Sequence, residues 1–172
     1  MISQNFQLLS LACNDAKDLA TLSEEAFLTK TDPPWSEASF QTLLAKPTTF
    51  IGWKGVAPPQ NILAGFLLVQ NGGPEVEILK IAVAPCFQRQ GLATRLLKHG
   101  LGNFPPDVTF WLEVQESNAP ALRLYSSFGF RKQHERKNYY QSKGETQTAV
   151  VLVREPCHIR PPVKGAKRAK IL

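Results

Sequence analysis

No apolar run in this chain approaches the roughly 20 residues that a membrane-spanning helix needs. Histidine and cysteine are scarce, at three residues each. Cys13, Cys86 and Cys157 are an odd number and lack metal-ligand spacing, so neither a disulfide framework nor a metal site is expected. Met1-Ile2-Ser3-Gln4-Asn5 has neither the basic nor the apolar region of a secretory leader. The expected setting is therefore cytoplasmic and reduced. No internal repeat is present. What is there is ordinary for a globular chain: 43% hydrophobic and 20% charged residues in 172. That length suits one domain with a sizeable core.

The net charge is +6. Arg160, Lys164, Lys167, Arg168 and Lys170 supply five of these positives, and no acid follows Glu155. The basic balance thus describes the tail more than the domain. Residues 156–172 also carry Pro161-Pro162 and few large apolar side chains. They are expected to form a basic, flexible tail after a domain at 1–155.

Along the chain, Phe6-Gln7-Leu8-Leu9 predicts a strand. Asn14 or Asp15 can cap a helix with Leu19, Leu22, Ala26 and Phe27 on its apolar face. Pro33-Pro34 stops it. Ser36 caps a second helix that turns Phe40, Leu43 and Leu44 inward. Strands follow at 48–53, 62–70 and 76–84, parted by Pro58-Pro59-Gln60-Asn61 and Asn71-Gly72-Gly73-Pro74. A third helix runs from Gly91 to about Leu101, with Leu92, Leu96 and Leu97 inward. A strand at 108–114, a helix from Asn118 to Phe128, and strands at 130–136 and 148–154 complete the order. The alternation implies a mixed sheet with helices on its faces.

The chemistry concentrates between residues 81 and 130. Ile81-Ala82-Val83-Ala84-Pro85-Cys86-Phe87-Gln88-Arg89-Gln90-Gly91-Leu92-Ala93 reads as strand, bend and helix start. A helix start presents unpaired N–H groups and the positive end of the dipole, a ready site for phosphate or pyrophosphate. Gly91 allows close backbone approach, Ala93 stays small, and Arg89 can add a charged contact. Read by itself, the same string also fits an ordinary loop-to-helix turn. Trp111-Leu112-Glu113-Val114 then sets a carboxylate at the end of an apolar strand, with Glu116 as a nearby competitor. Tyr125 follows on a helix, where its spacing equally suits core packing. Cradle, carboxylate and tyrosine in this order point to an acyl-CoA-dependent transferase. The acceptor chemistry agrees: an amine is mainly cationic near neutral pH, and a carboxylate can relay its proton away. A phenol can donate to a departing thiolate. Cys86 lacks a basic partner in sequence, and His99 and His134 read as surface residues.

Taken together, these residues resemble the GNAT superfamily of N-acetyltransferases, and within it the RimI-type ribosomal-protein alanine acetyltransferases. The likeness runs from residue 3 to about 154. It rests on Pro34-Trp35-Ser36 with Phe40, on Ile81-Ala82-Val83, on Gln88 to Ala93, and on Trp111 to Val114. Ser117-Asn118, Ala121, Leu124-Tyr125, Gly129-Phe130 and Arg136-Lys137-Asn138-Tyr139-Tyr140 extend it. The resemblance implies an α/β domain with a mixed, mostly antiparallel sheet of about seven strands. Helices would cover both faces, and a central parallel pair would splay. It implies acetyl-CoA as co-substrate, without a metal. Ile81, Ala82 and Val83 would pair with the pantetheine arm, and Arg89, Gln90, Gly91, Leu92, Ala93 and Thr94 would hold the pyrophosphate. Asn118 would contact the cofactor. Glu113 would be the general base and Tyr125 the general acid. Trp35, Tyr139 and Tyr140 would border the acceptor, the last two from a loop between the closing strands.

The implied acceptor is the N-terminal alanine of a small-subunit ribosomal protein. Ala93 stands where glycine is common, and Thr146-Gln147-Thr148-Ala149 lacks the acidic residue usual before that alanine. Two rivals remain: an enzyme acting on lysine, a polyamine or another small amine, and a non-catalytic acyl-CoA-binding module that docks on RNA. The basic tail could contact the ribosome or RNA electrostatically.

Overall fold

The computed structural model describes residues 5–27, 34–142 and 145–156, without the side chains of Phe27 and of 138–147. The basic tail beyond residue 156, with Cys157, lies outside them, as does Pro33. Strand β1 (Gln7–Ser10) leads through a 3-10 turn (Cys13–Asp15) into α1 (Ala16–Phe27) and α2 (Glu37–Leu44). Three strands follow, β2 (Phe50–Ala57), β3 (Ile62–Asn71) and β4 (Glu75–Val83). Next come α3 (Leu92–Gly102), β5 (Thr109–Gln115), α4 (Ala119–Ser127), β6 (Arg131–Ser142) and β7 (Glu145–Arg154).

The seven strands form one sheet in the order β1-β2-β3-β4-β5-β7-β6. Every neighbouring pair is antiparallel except β4–β5, which is parallel. That pair is also the shortest. It holds register only from Glu75–Thr109 to Glu77–Trp111, and beyond it the strands part. The fold class read from the sequence is therefore the one observed.

Local chemistry explains the helix ends. Ser36 starts α2 by accepting the Ser39 N–H at 3.2 Å. Asn118 does the same for α4, accepting from Ala121 N–H at 3.3 Å. Asp15 serves a tighter turn than expected: its Oδ2 accepts the Ala12 N–H at 2.8 Å, and its other oxygen pairs with Lys54 on β2. α3 begins at Gly91, whose φ of +80° is a left-handed conformation that glycine takes without a Cβ penalty.

Each face of the sheet buries its own core. Leu19, Leu22, Phe40 and Leu44 bring α1 and α2 onto Phe66, Leu68 and Ala82. On the other face Leu92, Leu96, Leu97 and Tyr125 bring α3 and α4 onto Leu67, Phe110, Leu112 and Val114. Strand β4 serves both by alternation, and one inserted residue switches its phase partway along. Leu68 pairs with Lys80 and Val69 with Ile78, leaving Leu79 unmatched, a β-bulge. Val76 and Ile78 face the α3/α4 core before the bulge, while Ile81 and Val83 face it afterwards.

The closing hairpin is longer than the sequence suggested. Tyr139 and Tyr140 were expected in a loop, but their backbone belongs to β6, with Tyr140 paired to Gln147. Pairing to β7 carries the ladder on across a register shift between Arg136 and Tyr140, with β-forming Tyr140 on one strand and Thr146 on the other.

Candidate functional site

Where β4 and β5 part, a cleft of about 520 Å³ opens. One wall is the second half of β4 and the other is Glu113, Val114 and Gln115 of β5 with the first turns of α4. The start of α3 closes one end, and Ala26 of α1 reaches the rim.

The β4 wall is an open backbone edge. The Ala84 N–H bonds to the Ala64 C=O at 2.9 Å on β3. By antiparallel alternation, residues 82 and 84 spend their backbone groups on β3, and those of Ile81 and Val83 point the other way, where β5 has left. The Val83 C=O already accepts the Gln88 side-chain N–H at 3.1 Å, as that orientation requires. An extended chain carrying amides can pair with such an edge.

The end wall is a helix start. Arg95 N–H to Gly91 C=O at 3.0 Å is the first turn's bond, so the N–H groups of Leu92, Ala93 and Thr94 precede the helical ladder. Arg89 holds a left-handed φ of +63°, which curls the loop over that end. Leu92 seats the helix low on the sheet. A Cβ at Gly55 would stand 2.6 Å from its side chain, and one at Gly65 would stand 2.7 Å from the Ala82 C=O. Small residues there let helix and strand approach closely.

Of the residues singled out in the sequence, Ile81, Ala82, Val83, Arg89, Gly91, Leu92, Ala93, Thr94, Asn118, Glu113 and Tyr125 line this one cleft. Gln90 does not; its amide turns back to the Cys86 C=O at 3.1 Å. Trp35 is not part of the lining either, although its ring is 5.0 Å from Nζ of Lys80, which is. The side chains of Tyr139 and Tyr140 lie outside the described residues. Glu116 is 57% exposed and near Lys132, away from the lining. Cys86, His99 and His134 are exposed, and His99 also packs edge-on against Trp53. Among the described residues no cluster has metal-ligand composition, and no helix is long and apolar enough to cross a membrane.

Glu113 and Tyr125, both facing the cleft, differ sharply. Tyr125 is 5% exposed, stacked edge-on against Phe130, and burial pushes its phenol above the ordinary range. It stays a proton donor near neutral pH. Glu113 is 14% exposed, and its Oε1 lies 2.8 Å from Nη1 of Arg136 on β6. Arg136 was a family mark in the sequence without a role. Lys80, buried within an apolar strand, was missed, although one lysine in Ile78-Leu79-Lys80-Ile81-Ala82-Val83 was a visible signal.

Known proteins resemble this chain in sequence and in fold. The model of the acetyltransferase (GNAT) family matches residues 16–130. A "[Ribosomal protein bS18]-alanine N-acetyltransferase" of Salmonella typhimurium is 36% identical over 121 residues, 69% of this chain and 79% of that protein. An "N-alpha-acetyltransferase RimI" of Mycobacterium tuberculosis is 33% identical over 135 residues, 76% of this chain and 81% of its own. The crystal structure of the ribosomal-protein-S18-alanine N-acetyltransferase from Escherichia coli superposes with a TM-score of 0.77 at 29% identity, covering 88% of this chain and 94% of that one.

Proposed function

Because the chain belongs to the acetyltransferase (GNAT) family and is an acetyl-CoA-dependent N-acetyltransferase, we propose that its acceptor is the N-terminal alanine amine of a small-subunit ribosomal protein. The observation that carries this reading is the splayed β4–β5 cleft, which gathers an open backbone edge, a helix start, a carboxylate and a buried phenol. The relatives' printed specificity supports the choice of acceptor.

In this reading acetyl-CoA supplies the thioester. Ile81 and Val83 offer their outward backbone edge to its pantetheine amides. The N–H groups of Leu92, Ala93 and Thr94, with Arg89, hold the pyrophosphate at the positive end of α3. Glu113 takes a proton from the acceptor's ammonium, directly or through a water, because only the free amine attacks. The Val83 N–H, on the open β4 edge, faces the developing oxyanion. Tyr125, kept protonated by burial, donates to the departing thiolate. The amide forms as the C–S bond breaks; of the two protons the nitrogen loses, one leaves through Glu113 to solvent and the other replaces the proton that Tyr125 gives to the thiolate.

A steady-state series tests the acceptor. Alanine-starting peptides of increasing length, with lysine-bearing peptides and polyamines alongside, separate the two acceptor classes. Expected is a kcat/KM that rises with peptide length and Nα acetylation on sequencing. Preference for free polyamine or for the lysine side chain would overturn the acceptor while keeping the chemistry. No turnover with any amine, at normal acetyl-CoA binding, would favour a binding module.

A further inference from the structure

Three charges meet where the splayed strands part: Glu77 on β4, Glu113 on β5 and Arg136 on β6. Their shared face follows from alternation. Phe110, Leu112 and Val114 point into the α3/α4 core, so Trp111, Glu113 and Gln115 face the opposite way. Val150 and Leu152 belong to the same core, so Ala149 and Val151 of β7 also face away from it. Arg136 pairs with Ala149, and Ala149 pairs with Gln115. The guanidinium therefore reaches from the outermost strand across the small side chain of Ala149 to find Glu113.

Stability is a poor explanation for that reach. Arg136 is 49% exposed, and an ion pair so open to water contributes little to folding. Its effect on Glu113 is specific. A glutamate has three rotatable bonds, and a neighbouring carboxylate, Glu77, would drive it aside. Arg136 holds Oε1 at 2.8 Å and so limits the carboxylate's rotation. We infer that Arg136 is a positioning residue: it pins the Glu113 carboxylate in the cleft, aimed at the acceptor amine. This rests on the base role proposed for Glu113. It goes further by naming what orients the base and by placing that device on the closing hairpin.

The test is a double-mutant cycle in the full-length protein, with an alanine-starting peptide as acceptor. Misplacement of a reacting group costs on the order of 10²-fold in favourable cases. Arg136→Gln should lower kcat by about tenfold or more while leaving KM for acetyl-CoA within about twofold. Arg136→Lys should recover most of the rate, because a cation in reach of Oε1 remains. The decisive comparison is Glu113→Gln/Arg136→Gln against Glu113→Gln alone. A residue that acts only through Glu113 has nothing left to lose, so the double variant should be no slower. Independent, multiplying losses would overturn the proposal, as would an Arg136→Gln with full kcat or one that raised only the peptide KM. Those outcomes, with Glu113→Gln still damaging, would leave the base assignment standing. A silent Glu113→Gln would remove that assignment and the positioning role together. Unchanged melting temperatures exclude misfolding as the source of the losses.

Discussion

Glu113 and Tyr125 face one cleft from opposite electrostatic situations. The carboxylate sits beside a cation, and the phenol is sunk in hydrocarbon. Burial keeps the phenol a proton donor. Glu113→Gln and Tyr125→Phe should each lower kcat by about 10²–10⁴ with acetyl-CoA binding retained, as checked by stopped-time assays and calorimetry. A damaging Glu116→Gln beside a silent Glu113→Gln would reverse the choice of base. Burial raises the phenol above its usual value of 10.0, so ionisation of Tyr125 should cause no loss of kcat up to that pH. A decline in kcat below pH 10 that vanishes in Tyr125→Phe would contradict this. Both residues were legible because each ends or punctuates an apolar run. Glu116 was a fair rival in sequence, since only strand alternation and the end of β5 separate it from Glu113. Arg136 was not legible as a partner. It lies on the far side of β7, and no local pattern announces a contact made across an intervening strand.

At the scale of elements, the start of α3 is the part whose construction matters most. Gly91 combines a positive φ with open space around its missing Cβ. Gly91→Val therefore meets backbone strain rather than a clash inside the protein, and its branched side chain stands over the helix start. The expected result is a raised KM for acetyl-CoA with kcat at saturation less affected. Unchanged cofactor binding by calorimetry in a folded variant would remove the pyrophosphate assignment. Leu92, 1% exposed, fixes how low the helix sits on Gly55 and Gly65. Leu92→Ala should cost about 2–5 kcal/mol by chemical denaturation. Helix positions were readable from caps and apolar spacing: Ser36, Gly91 and Asn118 all stand at observed helix starts. Strand ends were less so. β2 runs past Trp53 to Ala57 and β6 past Arg136 to Ser142. In both, cross-strand pairing extended a ladder that local composition alone would have closed. The bulge at Leu79 was invisible for the same reason, because only β3 reveals the extra residue.

For the whole molecule, the charge cluster at the splay links folding to pH. Burial first, and then Glu113, raise the Glu77 carboxyl above its ordinary value of 4.5, while Arg136 opposes them. The folded state therefore binds a proton at Glu77 more readily than the unfolded chain does. Its contribution to stability is present below the ordinary value and is lost as pH rises through the raised one. Glu77→Gln should accordingly gain stability relative to the native sequence as pH climbs from about 4.5 toward neutrality. Denaturant midpoints across that range check it, and a difference independent of pH would contradict it. The basic tail belongs to this scale by charge alone. Deleting residues 158–172 should leave turnover on a short alanine-starting peptide nearly unchanged. If the five cations tether the enzyme to an anionic surface, the deletion should reduce ribosome co-sedimentation at low salt and not at high salt. The central claim is that this cleft acetylates the α-amine of an alanine-starting small-subunit ribosomal protein. Mass spectrometry of intact ribosomal proteins from cells with the native protein, without it, and with Glu113→Gln measures that most directly. Expected is one alanine-starting small-subunit protein acetylated at its N-terminus only where the native protein is present. Identical N-termini in all three samples, or a change confined to lysine side chains, would contradict it.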